Sequence, residues 1–539
     1  MKEIIKKCLL AAIEKAIPDF KGDIPVEIPE RKENGDYSSN VAFVLSKILK
    51  KSPQAAAETL AAAVSKTSQS GVSDFSKIEA KNGFINFYLS PDRLRREIAE
   101  ILKRKNKYGF SKPEKPAKIQ VEFISANPTG PLTLGNGRGG FYGDVLANVL
   151  LAAGQKVSRE YYINDRGEQI LNLGRSILKA QGGARYSADE NLYKGGYIND
   201  LARKIKTGLG ESEAGKKAAD LILKEYIKPA VKRLGIKFDV WFSEKTLYRG
   251  GIYGKVTGDL KNRDLVYEKD GAVWMKTSKL GDVEDRVLIK KDGSETYFLS
   301  DILYHFDKFK IRKFDRAIDI WGADHHGYAP RLKAALKAMG IPESDLKIVI
   351  TQLARLVKNG EEFKISKRAG TFITIEELVS EVDRDAARFF FLSYSPDTHM
   401  DFDIGLAKER SQKNPVYYVQ YAHARIAGIL KKIKNQKSKI KIANRNLKFL
   451  KAESEWNLMK KLMEFPDLLS DIAINYEVHR LPRYAAELAR AFHNFYEKER
   501  VIVAGDEKLS SARLALAAAS KIVLENSLNI MGISAPNKM

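Results

Sequence analysis

"NPTGPLTLGNGRGG", residues 127–140, packs five glycines, two prolines and one arginine into fourteen positions. Just before it, "KIQVEFI" alternates Ile119, Val121 and Phe123 with Gln120 and Glu122, the period of a strand. After it, "GFYGDVLANVLLAAG" sets Val145, Leu146, Val149 and Leu150 on one helical face, and "QKVSREYYIND" reads as the next strand. Strand, loop, helix, strand is a βαβ unit. It predicts a parallel nucleotide-binding sheet, with backbone N–H groups and a helix N-terminus turned toward an anion. The spacing is neither a P-loop, which ends in Gly-Lys-Ser/Thr, nor G-x-G-x-x-G. A structural reading stands beside the phosphate cradle: Gly137, Gly139 and Gly140 would allow close helix–strand packing. Thr133, Asn136 and Arg138 in the same turn favour the cradle.

Working outward, the 539 residues exceed one hydrophobic core and predict about two to four domains. A hydrophobic fraction of 44% with 30% charged residues is that of a globular chain. Residues 1–110 read as an α+β unit: an initial helix, the alternating "DIPVEIP", a helical run from "NVAFVLSKILKK" into "AAAETLAAAV", the strand "NGFINFYLS", a charged helix, then the linker "FSKPEKPAK". Residues 111–375 form the parallel-sheet domain. Within it, about 175–295 reads as inserted material, with hairpin-like pieces "DLVYEKDGAVWMKT" and "RVLIKKDGSETYFLS" at Asp-Gly turns. From 376 to 539 every segment carries helical periodicity, and no strands are expected. The fold class is multidomain α/β: a Rossmann-like parallel-sheet domain with insertions, an N-terminal α+β domain and a C-terminal all-helical domain.

Charge speaks to partners. Lys and Arg number 92 against 68 Asp and Glu, a net +24, which draws polyanions: nucleic acid first, an anionic membrane surface second. Cys8 is the only cysteine, excluding a disulfide scaffold or a thiolate zinc cluster. The N-terminus lacks the apolar core of a secretory signal, and no apolar run approaches the ~20 residues of a membrane span. Cytoplasm and a monomer are the default expectations.

Four constellations could carry chemistry besides the opening loop. "EEFKISKRAGTF" (361–372) offers Lys364 and Lys367 with Arg368 on a glycine-flanked loop, suited to charge developing on phosphate, or else a solvated basic face. "WGADHHGYAPR" follows a predicted strand. Adjacent His325 and His326 point to different sides of an extended chain, which argues against a shared metal, while Asp324 could accept from a hydroxyl. Glu122 and Asn127 bracket the first strand's end, and Tyr297 and Asp301 share a face if "TYFLSDILYH" is helical. Carboxylates in so basic a chain suggest a small cationic substrate, or a surface ion-pair network. Tyr417, Tyr421 and Arg425 recur every four residues, with Arg483, Phe492, Phe495, Tyr496 and Arg500 further on. That mixture stacks and clamps single-stranded bases, with core packing the simpler role for Phe492 and Phe495.

Together these segments resemble arginyl-tRNA synthetases, class I aminoacyl-tRNA synthetases. "VEFISANPTGPLTLGNGRGGFYGDVLANVL" is similar to the first nucleotide-binding signature and "KISKRAG" to the second, lysine-serine-lysine signature. "EYYINDRGEQI", "WGADHHGYAPRLKAALKAMG", "NPVYYVQYAHARI", "RLPRYAAELARAFHNFYEKERV" and "LNIMGISAPNKM" match in order and spacing, and "GDYSSNVAFVLSK" resembles the N-terminal domain that helps hold the tRNA elbow. The resemblance implies ATP-dependent activation of L-arginine and its transfer to tRNA(Arg), with Mg²⁺ accompanying ATP and no zinc. It implies catalytic roles for Thr133, Asn136, Lys364 and Lys367. It implies ATP contacts at Pro128, Thr129, Gly130, Pro131, Leu134, Gly135, Gly137, Arg138, Gly139, Asp324 and Ser366. Arginine contacts fall at Glu122, Ser125, Asn127, Tyr297, Asp301 and His325, and tRNA contacts at Tyr417, Tyr421, Arg425, Arg483 and Arg500. One departure stands out: the first signature usually has histidine where this chain has Thr133, and often also where it has Asn136. Neutral residues there can still hydrogen-bond to a phosphate oxygen or ring edge. Two other readings remain open: a tRNA-binding descendant without turnover, and a class I synthetase or nucleotidyl transferase for another substrate. A neutral substrate would leave the carboxylates Glu122 and Asp301 unpaired.

Overall fold

The run Ile119–Phe123 is buried on both faces and forms the middle strand, Lys118–Glu122, of a five-stranded parallel sheet. The structure, a computed structural model, describes residues 1–67, 74–183, 192–249, 251–358, 360–362, 373–435 and 440–539. Across the sheet the strands run Leu346–Thr351, Arg316–Gly322, Lys118–Glu122, Lys156–Ile163, Val240–Ser243. Numbered along the chain this is the order 5-4-1-2-3, the doubly wound arrangement whose direction reverses between the first and fourth strands. Ligands in such sheets bind at that reversal, beyond the carboxyl ends of the strands, where Glu122 and Gly322 end their strands.

The first crossover is the helix Leu134–Ala152, nearly all of it buried. Its glycines serve close approach: a Cβ at Gly143 would fall 2.3 Å from the Phe123 ring, and one at Gly137 would fall 2.4 Å from Ile375. The packing reading therefore holds at Gly137 and at Gly140, where a Cβ would fall 2.9 Å from Ile124 and Ile236, but not at Gly139, where the nearest atoms are 3.7 Å away.

The stretch 175–295 is not one insertion. Val240–Ser243, inside it, pairs in parallel with Glu160–Ile163 as an edge strand of the main sheet. Extra material thus enters at two places, a helical set before this strand and a small antiparallel sheet after it. That sheet is Val266–Lys269, Ala272–Met275 and Arg286–Ile289. Its first hairpin turns at Asp270-Gly271, both with positive φ as an Asp-Gly turn demands. The second expected hairpin has only a bridge, Ile289 to Glu295, and its far limb becomes the helix Tyr297–Phe306.

The expectation of no strand beyond 376 is corrected by Met400–Asp403, which pairs in parallel with Ala354–Val357 and buries Met400 and Phe402. Four residues of alternation were too few to stand out among helices. The remainder is helical: Pro415–Asn435, Glu453–Asn475, Arg480–Lys498 and Glu507–Ile530 pack on one another. At the other end, Tyr37–Ser39, Phe84–Leu89 and Phe75–Lys81 form an antiparallel sheet beside the helices Lys2–Glu14, Val41–Leu49 and Pro53–Thr67. None of the described helices is long and apolar enough to cross a membrane.

Candidate active site

Thr133 is the N-cap of the helix Leu134–Ala152, and Asn136 is its third residue. The Thr133 hydroxyl donates to Asn136 Oδ1 (2.9 Å) and accepts from the Asn136 backbone N–H (3.4 Å), while the Thr133 N–H donates to Asn136 Oδ1 (2.9 Å). The two residues that depart from the family signature are thus partners in a capping box. The threonine's one proton is directed to Asn136 in this arrangement. Asn136 Nδ2 is the donor that remains.

The chain returns beside this cap. Leu134 N–H donates to the Ile373 carbonyl (3.3 Å) and Ile375 N–H to the Leu132 carbonyl (3.1 Å), so Thr133 and Thr374 pair. Lys364, Ser366 and Lys367 lie outside the described residues. The residues flanking their segment, Glu362 and Ile373, line one cavity of about 630 Å³ together with Thr133, Leu134, Gly135 and Leu356. Arg138 is turned away from it. Its buried guanidinium donates to the carbonyls of Gln352 (2.7 Å), Leu353 (3.2 Å), Ser395 (2.9 Å) and Thr398 (2.7 Å), tying the helix to two loops. Gly139 lies against Ile320 and Thr351 at ordinary contact distance.

On the other side of the cap, the chain leaves the first strand through Ile124 (φ 65°) and Ser125 (φ 40°). Left-handed backbone at a β-branched residue is costly, and such strain gathers at functional sites. Ser125 Oγ holds the turn by donating to Glu122 Oε1 (3.0 Å) and accepting from Tyr162 N–H (3.1 Å). Tyr161 hydroxyl braces the Ala126 carbonyl (2.8 Å), and Tyr197 hydroxyl the Thr129 carbonyl (2.9 Å), which sets Asn127 and Pro128 between two fixed points and Gly130 just after the second. Leu132, between Pro131 and the cap, is buried.

"TYFLSDILYH" is helical from Tyr297 to Phe306, so Tyr297 and Asp301 lie one turn apart on one face. Tyr297 is exposed, whereas Asp301 accepts a short hydrogen bond from the Tyr328 hydroxyl. Burial pushes the Asp301 carboxyl up from its ordinary value, with that bond and His305 opposing. Glu122 is also pushed up by burial, against the pull of Lys308. A third carboxylate joins them, one that sequence reasoning missed. Glu244 is buried just beyond the strand Val240–Ser243. Its Oε1 accepts from Ser300 Oγ (2.7 Å), while Oε2 is buried without a hydrogen-bond partner among the described residues. Burial raises its carboxyl too. The Tyr162 hydroxyl is likewise buried without a partner, and burial and then the charges of Glu244, Asp301 and Glu122 raise its pKa. The signal for Glu244 was present in "VWFSE", an acid at the carboxyl end of a parallel strand. Reading 175–295 as inserted material hid it.

Asp324 and His325 follow the strand Arg316–Gly322 at its carboxyl end, both exposed, with His325 Nε2 at 3.4 Å from Asp324 Oδ2 and its ring 6.0 Å from that of Trp321. No group of three His, Cys, Asp or Glu able to hold a metal ion occurs among the described residues.

The proposed RNA-facing residues separate into two kinds. Tyr417, Tyr421 and Arg425 share the helix Pro415–Asn435. The two tyrosine rings stack at 6.1 Å, and Arg425 donates to the Tyr421 hydroxyl (2.7 Å) with its guanidinium 5.3 Å from the Tyr496 ring. Arg483 and Arg500 are exposed, Arg483 paired with Glu487 (3.0 Å). Phe492 and Phe495 are fully buried, in the core role expected of them, and so is Tyr484.

Comparison with known proteins places this geometry. A family model of the arginyl tRNA synthetase N terminal domain matches residues 3–89, the class I (R) tRNA synthetase catalytic domain matches 97–390, and the DALR anticodon binding domain matches 419–539. The arginine–tRNA ligase of Citrifermentans bemidjiense is 43% identical over 561 aligned positions, covering all of both chains. That of Bacillus subtilis is 42% identical over 557, covering all of this chain and 99% of that one. Thermus thermophilus arginyl-tRNA synthetase, at 20% identity, shares the fold over the whole of both chains with a TM-score of 0.77. The chain belongs to the arginyl-tRNA synthetase family.

Proposed function

We propose that the pocket around the Tyr162 hydroxyl binds the guanidinium of L-arginine and that the enzyme is an arginine–tRNA ligase. The observation that carries the pocket is the pair of buried groups without partners among the described residues, Glu244 Oε2 and Tyr162 OH, the latter within the electrostatic reach of Glu244 and Asp301. A guanidinium offers five donors in a fixed fork and satisfies such acceptors, whereas a neutral side chain would leave them buried and unpaired. Tyr297 stands at the pocket's exposed rim, and Glu122, Ser125 and Asn127 shape the wall nearest the nucleotide.

ATP lies across the helix cap, its adenine in the cavity walled by Leu134, Gly135 and Leu356, its phosphates toward the helix N-terminus and Asn136 Nδ2. Mg²⁺ enters with the triphosphate as part of the substrate. The arginine carboxylate oxygen attacks the α-phosphorus, the bond to the β-phosphate oxygen breaks, and pyrophosphate leaves. No side chain need remove a proton, so positioning and charge stabilisation dominate, with Lys364 and Lys367 stabilising the departing pyrophosphate. In the second step the terminal ribose hydroxyl of tRNA(Arg) attacks the acyl carbon and AMP leaves. A cavity of about 510 Å³ lined by Arg166, Lys216, Lys245 and Arg249 adjoins Tyr248, whose hydroxyl is 2.7 Å from Ser300 Oγ. It suits the phosphates of the incoming 3′ end. Residues 1–110 support the tRNA elbow, 111–375 carry the chemistry, and 376–539 read the anticodon through the face bearing Tyr417, Tyr421, Arg425, Arg483 and Arg500. The enzyme works as a cytoplasmic monomer. Arginine-dependent ATP–pyrophosphate exchange with Mg²⁺, run with and without tRNA, tests this function. Exchange in at least one arm is expected, and its absence from both overturns the reading.

A further inference from the structure

Three neighbouring parallel strands place carboxylates side by side: Asp319 lies opposite Glu122 in the register, and Glu122 opposite Glu160. Like charges in adjacent positions of a sheet repel, and burial removes the water that would screen them. The cations that answer them come from one stripe of the helix that also carries Tyr297 and Asp301. Lys308 is fully buried, and its Nζ donates to Glu122 Oε2 (2.7 Å) and Asp319 Oδ1 (2.8 Å). His305 Nε2 lies 2.9 Å from Asp319 Oδ2, and Arg312 donates to Glu160 Oε1 (2.9 Å). Asp301, His305, Lys308 and Arg312 follow a spacing of four, three and four, so one helical face runs from the pocket mouth down to the sheet. The stripe passes through a wide turn, Asp307–Ile311, in which Arg312 N–H reaches back five residues to the Asp307 carbonyl (2.8 Å). Such turns recur at functional sites.

We propose that Lys308 is a positioning residue for arginine recognition: its ammonium, clamped between Glu122 and Asp319, fixes the Glu122 carboxylate. The inference rests on the arginine pocket proposed above. Lys308 does not touch the substrate. Its charge lets two adjacent buried carboxylates remain ionised, and its two hydrogen bonds tie the helix to the first and fourth strands at the point where the sheet reverses. Without the ammonium, Glu122 keeps, among the described residues, the Ser125 hydroxyl as its one hydrogen-bond partner, and the burial that already raises its carboxyl favours the neutral acid.

The test uses the full chain with Lys308→Met, Lys308→Arg, Glu122→Gln and Lys308→Met/Glu122→Gln, measuring KM for arginine and for ATP in pyrophosphate exchange, with thermal unfolding alongside. Lys308→Met is expected to raise the arginine KM about tenfold or more while the ATP KM stays within about twofold. Lys308→Arg, whose fork also spans two carboxylates, is expected to recover most of the loss. The double variant should be no worse than Glu122→Gln alone, because the two residues act as a unit. An unchanged arginine KM in folded Lys308→Met, arginine and ATP KM rising together, no recovery with arginine, or additive losses in the double variant would each overturn the proposal. Should Lys308→Met not fold, the comparison of the double variant with Glu122→Gln decides: equal arginine KM supports it, and a further rise overturns it. Failure of the wild-type protein to exchange would instead overturn the pocket reading itself.

Discussion

Thr133 and Asn136 stand where the family usually carries histidine at the first position and often at the second, and their side chains close a helix terminus on each other. Thr133→Ala removes the hydroxyl from that cap, and a lost N-cap of this kind costs about 1 kcal/mol. Chemical denaturation should register that loss, and Thr133→Ser should restore it; an unshifted midpoint in the alanine variant would count against the capping role. The acidic pocket makes a different single-residue prediction. Asp301→Asn and Glu244→Gln should each raise the arginine KM by about 10- to 100-fold, the range for a hydrogen bond to a charged group, with the ATP KM nearly unchanged. Steady-state exchange kinetics check both, and equal movement of the two KM values would remove these residues from the arginine pocket. Of the three carboxylates, Glu122 and Asp301 were legible in sequence because each sits in a readable element. Glu244 was not, since its importance comes from an edge strand of only four residues.

At the scale of elements, period and punctuation located most of what matters. The strand Lys118–Glu122 and the helix Leu134–Ala152 follow from spacing, whereas "TYFLS" reads equally as a hairpin limb and proves to open the helix Tyr297–Phe306. What spacing could not supply was partnership across the chain. Met400–Asp403 is a strand because Ala354–Lys358 lies beside it, and Arg138 faces carbonyls more than two hundred residues away rather than a ligand. The seat of the helix Leu134–Ala152 is tight enough to predict from a single carbon. Gly143→Ala would drive a Cβ into the Phe123 ring, and overpacking of this sort costs about 1–3 kcal/mol. A lowered melting temperature by circular dichroism is expected; an unchanged one would mean that helix and strand are free to separate. In the helical part, His493 lies where the helices Pro415–Asn435 and Arg480–Lys498 meet, and burial, with Arg425 beside it, lowers its pKa from 6.5 to about 4. The native state therefore prefers the neutral ring. Its contribution is present above pH 6.5 and is lost as pH falls from there toward 4, by about 1–2 kcal/mol after solvent screening. Stability measured across that window should fall less steeply in His493→Gln than in the wild type.

The whole molecule joins its ends. The helix Glu453–Asn475 of the helical part receives the N-terminal unit: Tyr37 hydroxyl donates to Asp467 Oδ2 (2.9 Å), Lys2 Nζ to Asp471 Oδ2 (2.8 Å), and Lys460 pairs with Asp36 (2.7 Å). The same part grips the parallel-sheet domain from the other side, where buried Arg388 pairs with Asp144 and donates to the Met531 carbonyl (2.8 Å), and Asn148 Nδ2 donates to the Ile530 carbonyl (2.9 Å). On a chain of net +24, these contacts hold three basic surfaces in one arrangement, which a long folded polyanion can meet at several points together. Asp467 is the center of the N-terminal contact, and Tyr37, fully buried beside it, has its hydroxyl raised by burial and by that carboxylate. Asp467→Ala leaves the Tyr37 hydroxyl buried without an acceptor, at a cost of about 1–3 kcal/mol to the docked arrangement. Because the residues of the proposed arginine pocket all belong to the parallel-sheet part, that cost should fall on tRNA and spare the amino acid. Aminoacylation kinetics of Asp467→Ala should show a raised KM for tRNA with an arginine KM close to wild type. A tRNA KM that does not move would mean that the N-terminal unit takes no part in holding the tRNA, and equal rises for both substrates would mean that the contact supports the catalytic domain instead.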